Sequence, residues 1–219
     1  GGYAPSNLSN KQVLDFIITA TEKAGYMPGD DIFISLDPAS SEFGNKSEYL
    51  LSKENMKLSS DEMVEYYSKL IDEYPIYSIE DGLSEDDWNG WNIFTNKHGK
   101  KTQIVGDDLF VTQKKYLEKG ISENSANAIL IKFNQVGTIS ETLETIQLAS
   151  NNNFKSVISH RSGETEDTTI ADLAVGTNSG QIKTGAPARS DRVAKYNRLL
   201  RIEEKLKDKA TFAGKSILL

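Results

Sequence analysis

The 219-residue chain contains no cysteine. That excludes disulfides and thiolate metal sites, and it fits a reducing cytoplasm. No apolar stretch approaches the ~20 residues that span a bilayer, and the opening residues carry no signal-peptide pattern. Positive charge is outnumbered, with 25 Lys and Arg against 32 Asp and Glu. The formal net charge of -7 argues against a nucleic-acid or anionic-membrane surface, since both require a basic face. No glycine-rich dinucleotide signature follows the first predicted strand. What remains is ordinary for a soluble globular protein: 37% hydrophobic and 26% charged residues, in a chain long enough for one large domain or a generous part of one. The chain opens on Gly1-Gly2 without a methionine, which reads as a fragment or a processed product.

Six short apolar or β-branched runs predict strands at 32–36, 76–79, 103–105, 128–131, 155–159 and 181–182. Helical patterns separate them. Ser9 or Asn10 caps a helix with Val13, Leu14, Ile17 and Ile18 at helical spacing, and Ser59 with Glu62 forms a capping box ahead of Met63, Tyr67 and Leu70. Residues 39–58 read as a surface loop with hairpin character. Ile139, Leu143 and Ile146 predict the inner face of one later helix. Ser190 is expected to cap the last, with Val193, Tyr196, Leu199, Leu200 and Ile202 inward.

Most strands recur at roughly 25 to 30 residues, the length of a βαβ unit. Such units build an open doubly wound sheet or a closed barrel, and the missing dinucleotide signature weakens the first. A barrel places active residues at the C-terminal ends of its strands. Asp37, Glu80, Asp107, Lys132, His160 and Lys183 occupy those positions, one per strand. Six strands fall short of the usual eight. The expected fold is therefore α/β, a TIM-type (β/α)8 barrel that is N-terminally truncated.

Three carboxylates converging from Asp37, Glu80 and Asp107 would repel one another unless a hard divalent cation held them, and all-oxygen ligands select magnesium or a similar ion. The plain alternative is that each acid caps the following helix. Lys132 follows an apolar run at the mouth of a low-dielectric core, where burial and a second cation, Lys183, make it a usable base. A pair of lysines reaching solvent is the alternative there. Arg161 and Ser162 suit an anion, whereas His160 taken alone is more often structural. His98, in Lys97-His98-Gly99-Lys100-Lys101, is expected in an exposed turn. Glu164, Glu166 and Asp167 favour the positive end of the next helix.

The run Ser159-His160-Arg161-Ser162-Gly163-Glu164-Thr165-Glu166-Asp167-Thr168 resembles the signature of the enolase family, and Gln181-Ile182-Lys183-Thr184-Gly185-Ala186-Pro187 and Leu199-Leu200-Arg201-Ile202-Glu203-Glu204 match as well. The likeness covers nearly the whole chain. It implies the C-terminal catalytic barrel domain over residues 1–219, lacking the first barrel strands and an N-terminal α+β domain. The implied activity is reversible, magnesium-dependent dehydration of 2-phosphoglycerate to phosphoenolpyruvate. By the resemblance Asp37, Glu80 and Asp107 hold magnesium, and Lys132 removes the proton alpha to the carboxylate. Arg161 and Ser162 bind phosphate, Lys183 contacts the substrate carboxylate, and His160 is an active-site loop residue. The family is usually a homodimer or octamer, cytoplasmic, and sometimes cell-surface or secreted.

Two departures accompany the likeness. Gly82 stands where the family has proline, which is expected to loosen that turn. The family's general acid, a glutamate, falls before Gly1, so this chain alone is expected to be an incomplete catalyst. Two rivals remain: another enzyme of the same superfamily, such as a racemase, and a surface role capturing host plasminogen through basic segments such as 97–101.

Overall fold

The computed structural model describes residues 2–218, and within them the chain divides into two compact units. The first comprises residues 5–109 and 118–127, and the second residues 2–4, 110–117 and 128–218.

The first unit opens with α1 (Asn10–Lys23), started by a capping box in which Ser9 and Gln12 satisfy each other's backbone N–H. Of its apolar residues Leu14 is buried, while Phe16 and Ile17 are exposed. β1 (Ile34–Leu36) follows, then a hairpin of β2 (Glu48–Leu51) and β3 (Met56–Ser59). Ser59 and Glu62 form the predicted capping box of α2 (Ser60–Glu73). β4 (Ile76–Glu80), α3 (Trp88–His98) and β5 (Gln103–Gly106) complete the order up to α4 (Lys114–Glu123), whose first turn belongs to the second unit.

β1, β4 and β5 pair in parallel. Every residue of β4 and β5 is buried, the pattern of strands covered on both faces. The core outside them is aromatic. Trp91 and Phe94 are fully buried, and Phe94 stacks on Tyr67 of α2 at 5.4 Å between centroids. Asp87 ties the hairpin to α3. Its carboxylate caps Gly90 N–H and accepts the Tyr49 and Ser60 hydroxyls at 2.7 and 2.5 Å. The turn at Gly82 is not loose. A Cβ there would stand 3.0 Å from Ile79 Cγ2 and 3.1 Å from Phe94, so packing, not chain freedom, occupies the missing side chain's place.

The second unit contains β6 (Ala128–Ile131), α5 (Phe133–Val136), α6 (Ile139–Asn151), β7 (Lys155–Ser159), α7 (Thr169–Gly176), β8 (Ile182–Lys183) and α8 (Ser190–Leu206). β6, β7 and β8 are again parallel. The six predicted strands thus exist, three in each unit, and the α/β class holds.

Two predicted helix faces are only partly right. In α6, Ile139 and Leu143 are exposed, and the buried face is Thr142, Thr145, Ile146 and Ala149. The threonine hydroxyls can be buried because each donates to the carbonyl four residues back, at 2.7 and 3.0 Å. In α8, Leu200 is exposed, while Asp191, Arg192 and Lys195 are buried. Ser190 lies inside that helix, and the cap position is Arg189 at φ 68°.

Candidate active site

Every expected residue lies at or just beyond the C-terminal end of its strand. Asp37 follows β1, Glu80 ends β4 and Asp107 follows β5. Lys132 follows β6, His160 follows β7 and Lys183 ends β8. Short strands deliver these residues, and of those strands β4, β5 and β6 are buried throughout. Once the apolar run stops, the next polar side chain sits at the core's rim.

The first unit carries the acids. Glu80 and Asp107 are 6% and 8% exposed, whereas Asp37 is exposed. Asp107 lies in a tight carboxylate group with Asp81 and Asp108, whose oxygens fall within 4.8 Å of one another. Asp37 and Glu80 are outside that group. Asp81 is the residue that sequence reasoning passed over. It sits at φ 44°, a left-handed conformation that aspartate tolerates. Its two oxygens accept the backbone N–H groups of Asp107 and Asp108 at 2.8 and 2.9 Å, so it folds the loop after β5. Burial, with the neighbouring charges of Asp107 and Asp108 adding, pushes its carboxyl up to about 8 against those two donors. Such crowding of oxygen donors is the environment a hard divalent cation relieves, and the residues present fit magnesium better than zinc.

The second unit carries the cations. Lys132 is half-buried, and its backbone N–H donates to the Thr112 hydroxyl at 2.9 Å. His160 N–H donates to Lys183 carbonyl at 2.9 Å, continuing the β7–β8 ladder to the site. Arg161 and Ser162 are exposed; the Arg161 guanidinium donates to Asn134 Oδ1 at 3.0 Å. His160 is half-buried and held near 4, well under the usual imidazole value. Burial is the largest cause, followed by the charges of Arg192 and Lys183; Glu164 opposes them and Lys132 adds a smaller push. The imidazole is neutral at physiological pH.

The loop carrying His160 is gripped by α8. Arg192 donates to His160 Nδ1 at 2.5 Å, to Arg161 carbonyl at 2.8 Å and to Ser162 carbonyl at 2.9 Å. Lys195, 1% exposed, pairs with Glu164 at 2.5 Å and donates to the carbonyls of Thr165 and Asp191. Glu164 in turn accepts Arg161 N–H at 3.0 Å, so it anchors the loop instead of the next helix's N-terminus. Gly185 makes room. At φ +82° its Cβ would meet Arg192 Cδ at 3.0 Å and His160 Cε1 at 3.2 Å. The sequence signal for these grips is one unusual feature: two cations three apart on a helix face otherwise read as apolar.

His98 is not in an exposed turn. It ends α3 half-buried, bonded to Ser68 at 2.8 Å and edge-on to Phe94. Lys97 beside it pairs with Glu65, so the basic segment 97–101 is partly neutralised. No helix among the described residues is long and apolar enough to cross a membrane.

A protein family described as the enolase C-terminal TIM barrel domain matches residues 1–219.

Proposed function

We propose, for a chain that belongs to the family of enolase C-terminal TIM barrel domains, that it catalyses the reversible, magnesium-dependent dehydration of 2-phosphoglycerate to phosphoenolpyruvate. The observation that carries this reading is the cationic surroundings of His160. Lys132, Lys183 and Arg192 all act on one half-buried imidazole, which concentrates positive charge for a small, multiply anionic molecule.

In this reading Lys132 takes the proton alpha to the carboxylate, Lys183 meets the carboxylate, and the Arg161 fork with the Ser162 hydroxyl holds the phosphate. The hydroxyl on the adjacent carbon departs as water, its proton supplied by the glutamate general acid that the family resemblance implies, while the proton taken by Lys132 passes to solvent. Neutral His160 serves as a hydrogen-bonding loop residue, because a singly protonated imidazole is not an acid at physiological pH. Asp107, which lies in the carboxylate group, would hold the magnesium, joined by Asp37 and Glu80 as the family resemblance implies. When bound, the ion stabilises the negative charge that grows on the substrate carboxylate as the proton leaves. Asp81 keeps the Asp107 loop folded for that task.

The test is phosphoenolpyruvate formation from 2-phosphoglycerate by the full-length gene product, with and without a magnesium chelator. Chelator-sensitive turnover that Lys132→Ala abolishes is expected. Alpha-proton exchange without elimination would instead indicate another reaction of the enolase superfamily. A folded protein with neither activity overturns the reading, and lysine-competed plasminogen binding then tests a cell-surface role. The same reading makes the partner a phosphorylated small molecule in the cytoplasm and the assembly a homodimer or octamer, which sedimentation of the gene product checks.

A further inference from the structure

Arginine has five N–H donors and no acceptor. A ring nitrogen that takes a hydrogen bond from a guanidinium must therefore present a lone pair. His160 Nδ1 lies 2.5 Å from an Arg192 terminal nitrogen, so the ring's one proton belongs on Nε2. The same guanidinium donates to the carbonyls of two successive loop residues, Arg161 and Ser162. Its side chain is 8% exposed and lies beside Asp191 Oδ2, 3.5 Å from Nε. A buried group with its donors spent on one histidine and two carbonyls has little freedom to swing away.

We propose that Arg192 is a positioning residue that fixes His160 as its neutral Nε2–H tautomer and holds the loop backbone at Arg161 and Ser162. The proposal deepens the function above, and it rests on that reading only for its consequence: His160 then offers substrate a hydrogen-bond donor and neither gives up nor competes for the proton taken by Lys132. The charged groups acting on the imidazole are Arg192, Lys183 and Lys132, with Glu164 the one opposing carboxylate. Burial first, and then these cations against one acid, keep the ring neutral, and Arg192 among them bonds to Nδ1. Gly185 is part of the device, since any side chain there would push His160 and Arg192 apart.

Long-range proton–nitrogen NMR of the imidazoles reads the tautomer directly. The chain has two histidines, and His160→Gln identifies the second signal. In the unmodified protein Nδ1 is expected to be the lone-pair nitrogen and Nε2 the protonated one from about pH 8 down to about pH 5. In Arg192→Met the tautomers should mix and the His160 midpoint should rise by more than about one pH unit toward the ordinary value, while His98, on the other unit, stays unchanged and reports intact folding. Protonated Nδ1 in the unmodified protein overturns the proposal, as does an unchanged tautomer and midpoint in folded Arg192→Met. If that variant does not fold, the unmodified spectrum decides. The spectrum needs no turnover. An inactive protein with the expected tautomer overturns the proposed reaction alone, and an active one with Nδ1–H overturns this assignment alone.

Discussion

Replacing Lys195 by methionine removes an ammonium that is 1% exposed, while the side chain's length is roughly kept. Three partners lose their donor: Glu164, Thr165 carbonyl and Asp191 carbonyl. Removing one member of a buried pair costs about 3–5 kcal/mol, because the other charge is left uncompensated. Glu164 softens that loss, since its side chain is 15% exposed and still accepts Arg161 N–H. The expected cost is about 3 kcal/mol, which lowers the unfolding midpoint by roughly 6–12 °C for a chain of this size. Glu164→Gln keeps an acceptor for Arg161 N–H and should cost about 2 kcal/mol. The double variant should cost less than the two singles added, by at least about 1 kcal/mol, because the second change removes a charge already stranded by the first. Burial alone would raise the Glu164 carboxyl; hydrogen bonds from Lys195 and Arg161 N–H outweigh it and hold the group below its usual value. The pair's stability is therefore present above the ordinary glutamate range and lost as pH falls through the lowered value. Thermal unfolding of all four proteins, at neutral and acidic pH, checks both statements. Strict additivity, or a Lys195→Met cost under about 1 kcal/mol, would refute the claim that α8 holds the loop through this pair.

Gly185→Ala combines a left-handed φ of +82° with contacts at 3.0 and 3.2 Å to Arg192 and His160; a loss of about 1–3 kcal/mol and displaced His160 resonances are expected by calorimetry and NMR. Asp87→Ala removes the acceptor of the buried Tyr49 hydroxyl, which keeps only the Ser84 N–H bond, and uncaps α3, so denaturant titration should read a loss of about 2–4 kcal/mol. His160 is held down to about 4 by burial and its cationic neighbours, which means folding opposes its protonation. The histidine thus weakens the protein as pH falls from the ordinary imidazole value through about 4, and His160→Gln should flatten acid unfolding across that window. Magnesium, binding only the folded acids, should raise the unfolding midpoint by an amount equivalent to about 2.7 kcal/mol at a hundredfold excess over its dissociation constant; Asp107→Asn should shrink that shift in a calorimetric titration.

Much was legible in the chain itself. Parallel strands buried on both faces need continuous apolar runs, and the polar residue that follows each run must emerge at the rim, so Glu80, Lys132, His160 and Lys183 could be placed by counting. The capping boxes at Ser9 and Ser59 were equally plain, since their chemistry acts over three residues. Apolar periodicity failed on α6 and α8, where the buried faces are hydroxyls and cations satisfied by carbonyls. A pattern that equates burial with hydrocarbon has no way to register a polar group whose partner is backbone.

Local sequence therefore determined the strand ends, the helix starts and the types of side chain delivered to the rim, because each depends on neighbours a few residues away. Tertiary structure decided which of those side chains are held, and in what protonation state. Arg192 meets His160 from 32 positions along the chain, and Asp81 folds the loop at Asp107 from 26 positions away. Hydrogen bonding and desolvation depend on distance in space, and a linear sequence does not contain that distance.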